Sequence, residues 1–150
     1  MPLNFHILLV EDSRADAKII ERALLEGHIE HRLTVLQDGR HALDYLSRLR
    51  DPQTPDELTP DLILLDLNLP GMDGCQVLSQ IKNDPLLRII PVVVLTTSRR
   101  DEDVLLTYQA GANTYIQKPA EFPRYRDLVA TLRQYWLETA ILPPKRRPGD

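Results

Sequence analysis

Apolar positions fall into five short runs, "HILLV" (6–10), "RLTVLQ" (32–37), "DLILLD" (61–66), "IIPVVVLT" (89–96) and "TYIQ" (114–117). The first, third and fourth are continuous rather than alternating, which predicts strands covered on both faces. Between the runs, apolar residues recur at helical spacing. Ile19, Ile20, Ala23 and Leu24 form one stripe, Ala42, Leu43, Leu46 and Leu49 a second, and Val77, Leu78 and Ile81 a third. Leu105, Leu106 and Ala110 predict a fourth, and Leu128, Val129, Leu132 and Trp136 a fifth. Ser13 with Asp16 three residues on has the spacing of a capping box, and Gly27 stands where that helix should stop. Asp101 and Gly111 bracket the fourth helix as N-cap and C-terminal stop. Strand and helix alternate five times, so the predicted class is α/β: a parallel five-stranded sheet with helices on both faces.

Two stretches interrupt the alternation. "RDPQTPDELTPD" (50–61) reads as a long surface loop before the third strand. The Pro-rich, basic segment 143–150, with Lys145, Arg146 and Arg147, is expected to lack fixed structure and to leave its charges solvated. Residues 1–142 are thus expected to form one domain.

Composition narrows the classes. A chain of 150 residues with 43% apolar and 27% charged residues is that of an ordinary globular domain. A formal net charge of -4 argues against general nucleic-acid binding. No apolar run approaches the roughly 18–20 residues that span a membrane, and "MPLNFHILLVED" lacks the basic flank and cleavage site of a signal peptide. The single cysteine, Cys75, fits a reducing, cytoplasmic setting. His6, His28, His31 and His41 have no metal-ligand spacing.

The chemistry gathers at the ends of the strands. The first run ends in Glu11 and Asp12, the third in Asp66, the fourth in Thr96 and the fifth in Lys118–Pro119. Ligands of open α/β sheets bind outside the carboxyl ends of the strands, near a switch in strand order. If the order is 2-1-3-4-5, Glu11, Asp12 and Asp66 converge on one crevice, with Lys118 opposite. Crowded carboxylates raise one another's pKa, and a hard divalent cation relieves the repulsion. Mg²⁺ suits one or two carboxylates, a backbone carbonyl and several waters. Taken singly, each residue also has an ordinary reading. Glu11 and Asp12 could be helix-start acids, Asp66 a loop cap, Thr96 a strand former, Tyr115 edge-strand packing and Lys118 a surface lysine.

Together, "LLVEDS", "LLDLNLPGMDG", "VVVLTTS" and "YIQKP", in this order and spacing, resemble the receiver domain of two-component response regulators, from about residue 5 to about residue 136. The terminal "YWLETAILP" and the 50–61 loop narrow the likeness to single-domain regulators that serve cyanobacterial phytochromes. The resemblance implies a flavodoxin-like doubly wound sheet of order 2-1-3-4-5. It implies that Asp66 accepts a phosphoryl group from a histidine kinase, with a bacterial phytochrome as a candidate. Mg²⁺ is then held by Glu11, Asp12, Asp66 and the backbone carbonyl of Asn68, and Lys118 pairs with the phosphoryl oxygens. Thr96 and Tyr115 are the implied switch residues, Asn68 and Ser98 tune dephosphorylation, and the Lys118–Pro119 bond is expected to be cis. Two other functions share parts of this pattern: a Mg²⁺-dependent phosphatase with an aspartyl-phosphate intermediate, and a flavodoxin-like cofactor binder. Asn68, two residues past Asp66, cannot be the general acid the first usually needs. The second lacks its phosphate-binding loop. Phe122, Tyr125, Tyr135, Trp136, Leu137, Ile141 and Leu142 crowd the fifth helix and predict a homodimer through the fourth helix, fifth strand and fifth helix.

Overall fold

The computed structural model describes residues 5–145. Five parallel strands form one sheet: β1 Phe5–Val10, β2 His31–Leu36, β3 Leu62–Leu65, β4 Val92–Thr96 and β5 Thr114–Gln117. Their order is β2-β1-β3-β4-β5, as predicted. The helices are α1 Arg14–Glu26, α2 Gly39–Ser47, α3 Gly74–Lys82, α4 Asp101–Gln109 and α5 Phe122–Leu132. A π-helical segment, Arg133–Thr139, prolongs α5.

The continuous runs are the wholly buried strands β1, β3 and β4. Because side chains alternate across a strand, each run feeds two cores. Phe5, Ile7, Leu9, Leu62, Leu64, Val93 and Leu95 meet α1 and α5 on one face. Leu8, Val10, Ile63, Leu65, Val92 and Val94 meet α2 and α3 on the other. Each fully buried Leu, Ile or Val contributes about 1.5–3 kcal/mol, so these two layers fix the strand register that positions everything at the sheet ends.

Several expectations change. Ser13 caps α1 by accepting from the Asp16 N–H at 3.2 Å, but the reciprocal bond of a capping box is absent, because Glu11 takes the Ser13 N–H. Gly27 ends α1 with ordinary dihedrals, and it is His28 that turns left-handed, at φ 55. Arg100, not Asp101, is the N-cap of α4. The α4 stripe is misplaced: Leu105 and Leu106 are exposed, and the buried residue is Thr107. Its hydroxyl donates to the Asp103 carbonyl at 2.5 Å, so the polar group carries its own partner inward. The 50–61 loop contains a 3₁₀ turn, Asp56–Leu58, pinned where the Tyr45 hydroxyl donates to the Leu58 carbonyl at 2.6 Å. Of the tail, Lys145 pairs with Asp61 at 3.3 Å. Arg146 and Arg147 lie outside the described residues.

Candidate functional site at the carboxyl edge of the sheet

Glu11 and Asp66 each stand one residue beyond a strand, held by the continuing ladder. The Glu11 N–H donates to the Leu36 carbonyl at 2.9 Å and the Asp66 N–H to the Val10 carbonyl at 3.0 Å. The two carboxylates therefore emerge side by side from neighbouring strands. Lys118, just past β5, is anchored by its own N–H on the Thr96 carbonyl at 2.7 Å.

The loop after Asp66 is shaped to leave that acid at the edge. Gly71 adopts φ 71, and Asp73 starts α3 with a complete capping box to Gln76. At Gly74 a Cβ would collide with the Asp66 carbonyl oxygen and the Leu67 Cα, so only glycine lets α3 begin this close.

Lys118 reaches into the crevice rather than facing it from across. Its Nζ donates to Glu11 Oε1 at 2.6 Å, Asp66 Oδ2 at 2.7 Å and Asp16 Oδ2 at 2.8 Å. The Lys118, Asp66 and Glu11 side chains are 6%, 5% and 2% exposed, so the ion pairs are closed to water on most sides. Burial pushes the Glu11 carboxyl up to about 7, against the pull of its hydrogen bonds to Lys118 and Ser13, and the Asp66 charge adds to the rise. Burial alone would depress the Lys118 ammonium, but Asp16, Asp66 and Glu11 together outweigh it and raise its pKa above the ordinary value. Desolvation, more than mutual repulsion, dominates the Glu11 shift.

Asp16 is the member that sequence reasoning missed. A sequence signal existed: Asp16 lies four residues before Ile20, on the apolar stripe of α1 rather than its solvent face. Asp12, by contrast, is exposed. Among the described residues, no group of three His, Cys, Asp or Glu side chains is arranged to hold a metal ion. The charge attraction that draws Lys118 between Glu11 and Asp66 accounts for this arrangement in the chain alone. The donors at this edge are nonetheless all hard oxygens, the chemistry a divalent cation such as Mg²⁺ or Mn²⁺ takes.

The remaining candidates form a second group next to the first. Asp66 Oδ1 accepts from the Asn68 N–H at 3.0 Å. The Asn68 amide makes long contacts, 3.4 Å each, to the hydroxyls of buried Thr96 and exposed Thr97. Ser98 turns away: its hydroxyl donates to Asp103 Oδ2 at 2.5 Å, in a cluster with Arg100. Tyr115 donates its hydroxyl to the Ser98 carbonyl at 2.9 Å, and burial raises its phenol pKa. A chain of bonds thus runs from Asp66 through Asn68 to Thr96, and another joins Tyr115 to the start of α4. Cys75 packs half-buried with its sulfur 3.7 Å from the Thr107 hydroxyl. The Lys118–Pro119 bond is trans, contrary to expectation; no described peptide bond is cis. The trans form is the one intrinsically favoured, by about 0.5–1 kcal/mol, and Lys118 reaches all its partners with it.

The doubly wound sheet thus gathers Glu11, Asp16 and Asp66 around Lys118 at its switch point, and known proteins share this fold. Residues 7–130 match the response regulator receiver domain, so the chain belongs to that family of signalling proteins. It is 42% identical over 137 residues to response regulator Rcp1 of Synechocystis, covering 91% of this chain and 92% of that one. Two solved structures share the fold closely. The phosphorylated cyanobacterial phytochrome response regulator RcpA superposes with TM-score 0.84 at 41% identity, over 94% of this chain and 99% of that one. The Mn(2+)-bound form of Rcp1 gives 0.81 at 42% identity, over 93% and 99%. The chain is therefore similar to cyanobacterial phytochrome response regulators over nearly its whole length.

Proposed function

We propose that this protein is a phosphoryl-accepting signalling switch, with Asp66 the acceptor and a phytochrome-type histidine kinase the donor. The observation that carries the reading is the buried Asp66–Lys118 pair, 2.7 Å apart, at the carboxyl edge of β3 and β5. An Asp66 carboxylate oxygen attacks the phosphorus of a phosphohistidine. The P–N bond breaks and the imidazole leaves with the electron pair. A carboxylate is a modest nucleophile, so the protein contributes position and charge rather than covalent chemistry. Lys118 neutralises the phosphoryl oxygens as a fixed point charge.

Glu11, Asp12, Asp66 and the Asn68 carbonyl are the residues that would hold Mg²⁺. The bound cation would supply further neutralisation of the phosphoryl charge. The all-oxygen donor set and the Mn(2+)-bound relative support this assignment. Once Asp66 carries a dianion, Thr96 donates its hydroxyl to it, loosening the bond from Asn68, and Tyr115 follows by leaving the Ser98 carbonyl. The new charge supplies the differential energy such a shift requires. Asn68 sits where it governs water access to the phosphoryl group; Ser98 does so only after it leaves Asp103.

The receiver unit spans 1–142, works in the cytoplasm, and pairs with a second copy through α4, β5 and α5. Tyr125 is buried and Phe122, Trp136, Leu137 and Leu142 pack on the core, leaving Tyr135 and Ile141 exposed. Leu105, Leu106 and Tyr108 of α4 are exposed instead, at 58%, 57% and 47%. A monomeric mass at micromolar concentration, with and without beryllofluoride, would remove the dimer. Phosphotransfer from a panel of purified histidine kinases tests the switch: wild type takes up label from at least one kinase and Asp66→Asn from none.

A further inference from the structure

Asp16 has no part in the chemistry above, yet it holds the same ammonium as closely as the acceptor does, at 2.8 Å against 2.7 Å. It lies on the first turn of α1, 102 residues from Lys118 in sequence. The hydrogen bonds of the helix start do not use its carboxylate. The Asp16 N–H is already capped by Ser13, and the Ser13 N–H is taken by Glu11.

An ammonium has three hydrogens, and here all three are used. A phosphoryl oxygen can reach Lys118 only if one present acceptor gives way. Glu11 and Asp66 are almost wholly enclosed, whereas the Asp16 side chain is 31% exposed and recovers water on release. Glu11 and Asp66 belong to the oxygen set assigned to the cation, so Asp16 is the one partner left to compete with a phosphoryl oxygen for Nζ. Its negative charge at this distance cancels part of the field that Lys118 would present to an incoming dianion.

We propose that Asp16 is a positioning residue that competes with the phosphoryl group for Lys118, holding the lysine in place at rest and limiting how tightly it grips the phosphorylated acceptor. This rests on the reading of Asp66 as acceptor. Asp16→Asn tests it, because the amide oxygen keeps a hydrogen bond to Nζ while the charge is lost.

The measurement is beryllofluoride affinity in the presence of Mg²⁺, followed by ¹⁹F NMR, for wild type, Asp16→Asn, Asp16→Glu and Asp66→Asn. Asp16→Asn is expected to bind roughly three- to tenfold more tightly, with its thermal midpoint within about 3 °C of wild type. Asp16→Glu, which restores the charge, is expected to return affinity to within about twofold of wild type. A purely structural role would instead weaken binding in step with a lowered midpoint. Equal or weaker binding by Asp16→Asn overturns the proposal. If that variant does not fold, Asp16→Ser carries the same test of sign. Should wild type and Asp66→Asn bind beryllofluoride alike, or not at all, the reading of Asp66 falls and takes this proposal with it. A clear difference between those two, with no gain in Asp16→Asn, sinks the proposal alone.

Discussion

Each end of the sheet holds a lysine whose ammonium meets three oxygen acceptors, and the two are wired in opposite ways. At the carboxyl edge Lys118 meets the carboxylates of Glu11, Asp16 and Asp66. At the amino edge Lys82 meets neutral oxygens: the carbonyls of Arg88 at 3.0 Å and Ile90 at 2.8 Å, and the amide oxygen of Asn113 at 3.1 Å. Burial lowers the pKa of Lys82, while the carboxylates carry that of Lys118 up. Asn113 also accepts the Val92 N–H at 2.9 Å, so Lys82 ties the approaches to β4 and β5 together. Two of its acceptors are backbone, fixed by the fold, with nothing to exchange. Around Lys118 the carboxylates bring more negative charge than one ammonium cancels, and that surplus can be traded for a cation or rearranged around a phosphoryl group. The same residue type, equally satisfied, is a staple at one end and a charge whose partners can exchange at the other.

The comparison breaks if the two lysines respond alike. Lys118→Met should lower phosphoryl uptake by on the order of 10²-fold, as loss of one electrostatic stabiliser does, measured as the initial rate with a small phosphodonor. Lys82→Met should leave that rate within about twofold while costing about 1–2 kcal/mol in urea unfolding, because its oxygens lose their donor. Between these in size lies Gly74→Ala, expected to cost about 1–3 kcal/mol by overpacking against the Asp66 backbone and to slow uptake as well, since the clash falls on the acceptor itself. A normal rate in that variant would show that the loop does not set the geometry of Asp66.

The smallest effect belongs to the amino edge. His6 is buried, shares a hydrogen bond with Thr34 at 2.8 Å, and has no partner for Nδ1 among the described residues. Burial, reinforced by Arg32 and Lys145, lowers its pKa below 6.5. The unfolded chain then binds the proton more readily than the folded one. The contribution is fully present above about pH 6.5 and is lost as pH falls through the depressed value. Between about pH 7 and 5 the raised Glu11 carboxyl acts in the opposite sense, so the His6 contribution is read as a difference: as pH falls, His6→Leu should lose less stability, or gain more, than wild type in urea unfolding.

Much of this molecule was legible from pattern. Continuous apolar runs marked β1, β3 and β4, because a strand covered on both faces has no polar positions to alternate. Glu11 and Asp66 could be named because each ends such a run, where burial makes a charge conspicuous, and Lys118 only through the order and spacing of all four segments. Asp16 was hidden by resembling a helix-start acid, and its role depends on a residue far away in sequence. His6 was absorbed into "HILLV" as if apolar. The α4 stripe failed because Leu105 and Leu106 sit beside Thr107, and spacing alone could not tell which side the sheet covers. Asp12 differs from Glu11 in burial, exposed where its neighbour is enclosed, a contrast that two adjacent acids in a sequence do not reveal.

The central claim, that Asp66 is the acceptor, is tested most directly by intact-mass spectrometry after incubation with acetyl phosphate and Mg²⁺. Wild type is predicted to gain the mass of one phosphoryl group, removable by hydroxylamine as an acyl phosphate should be, and Asp66→Asn to gain none. Uptake by Asp66→Asn to the wild-type extent would contradict the account.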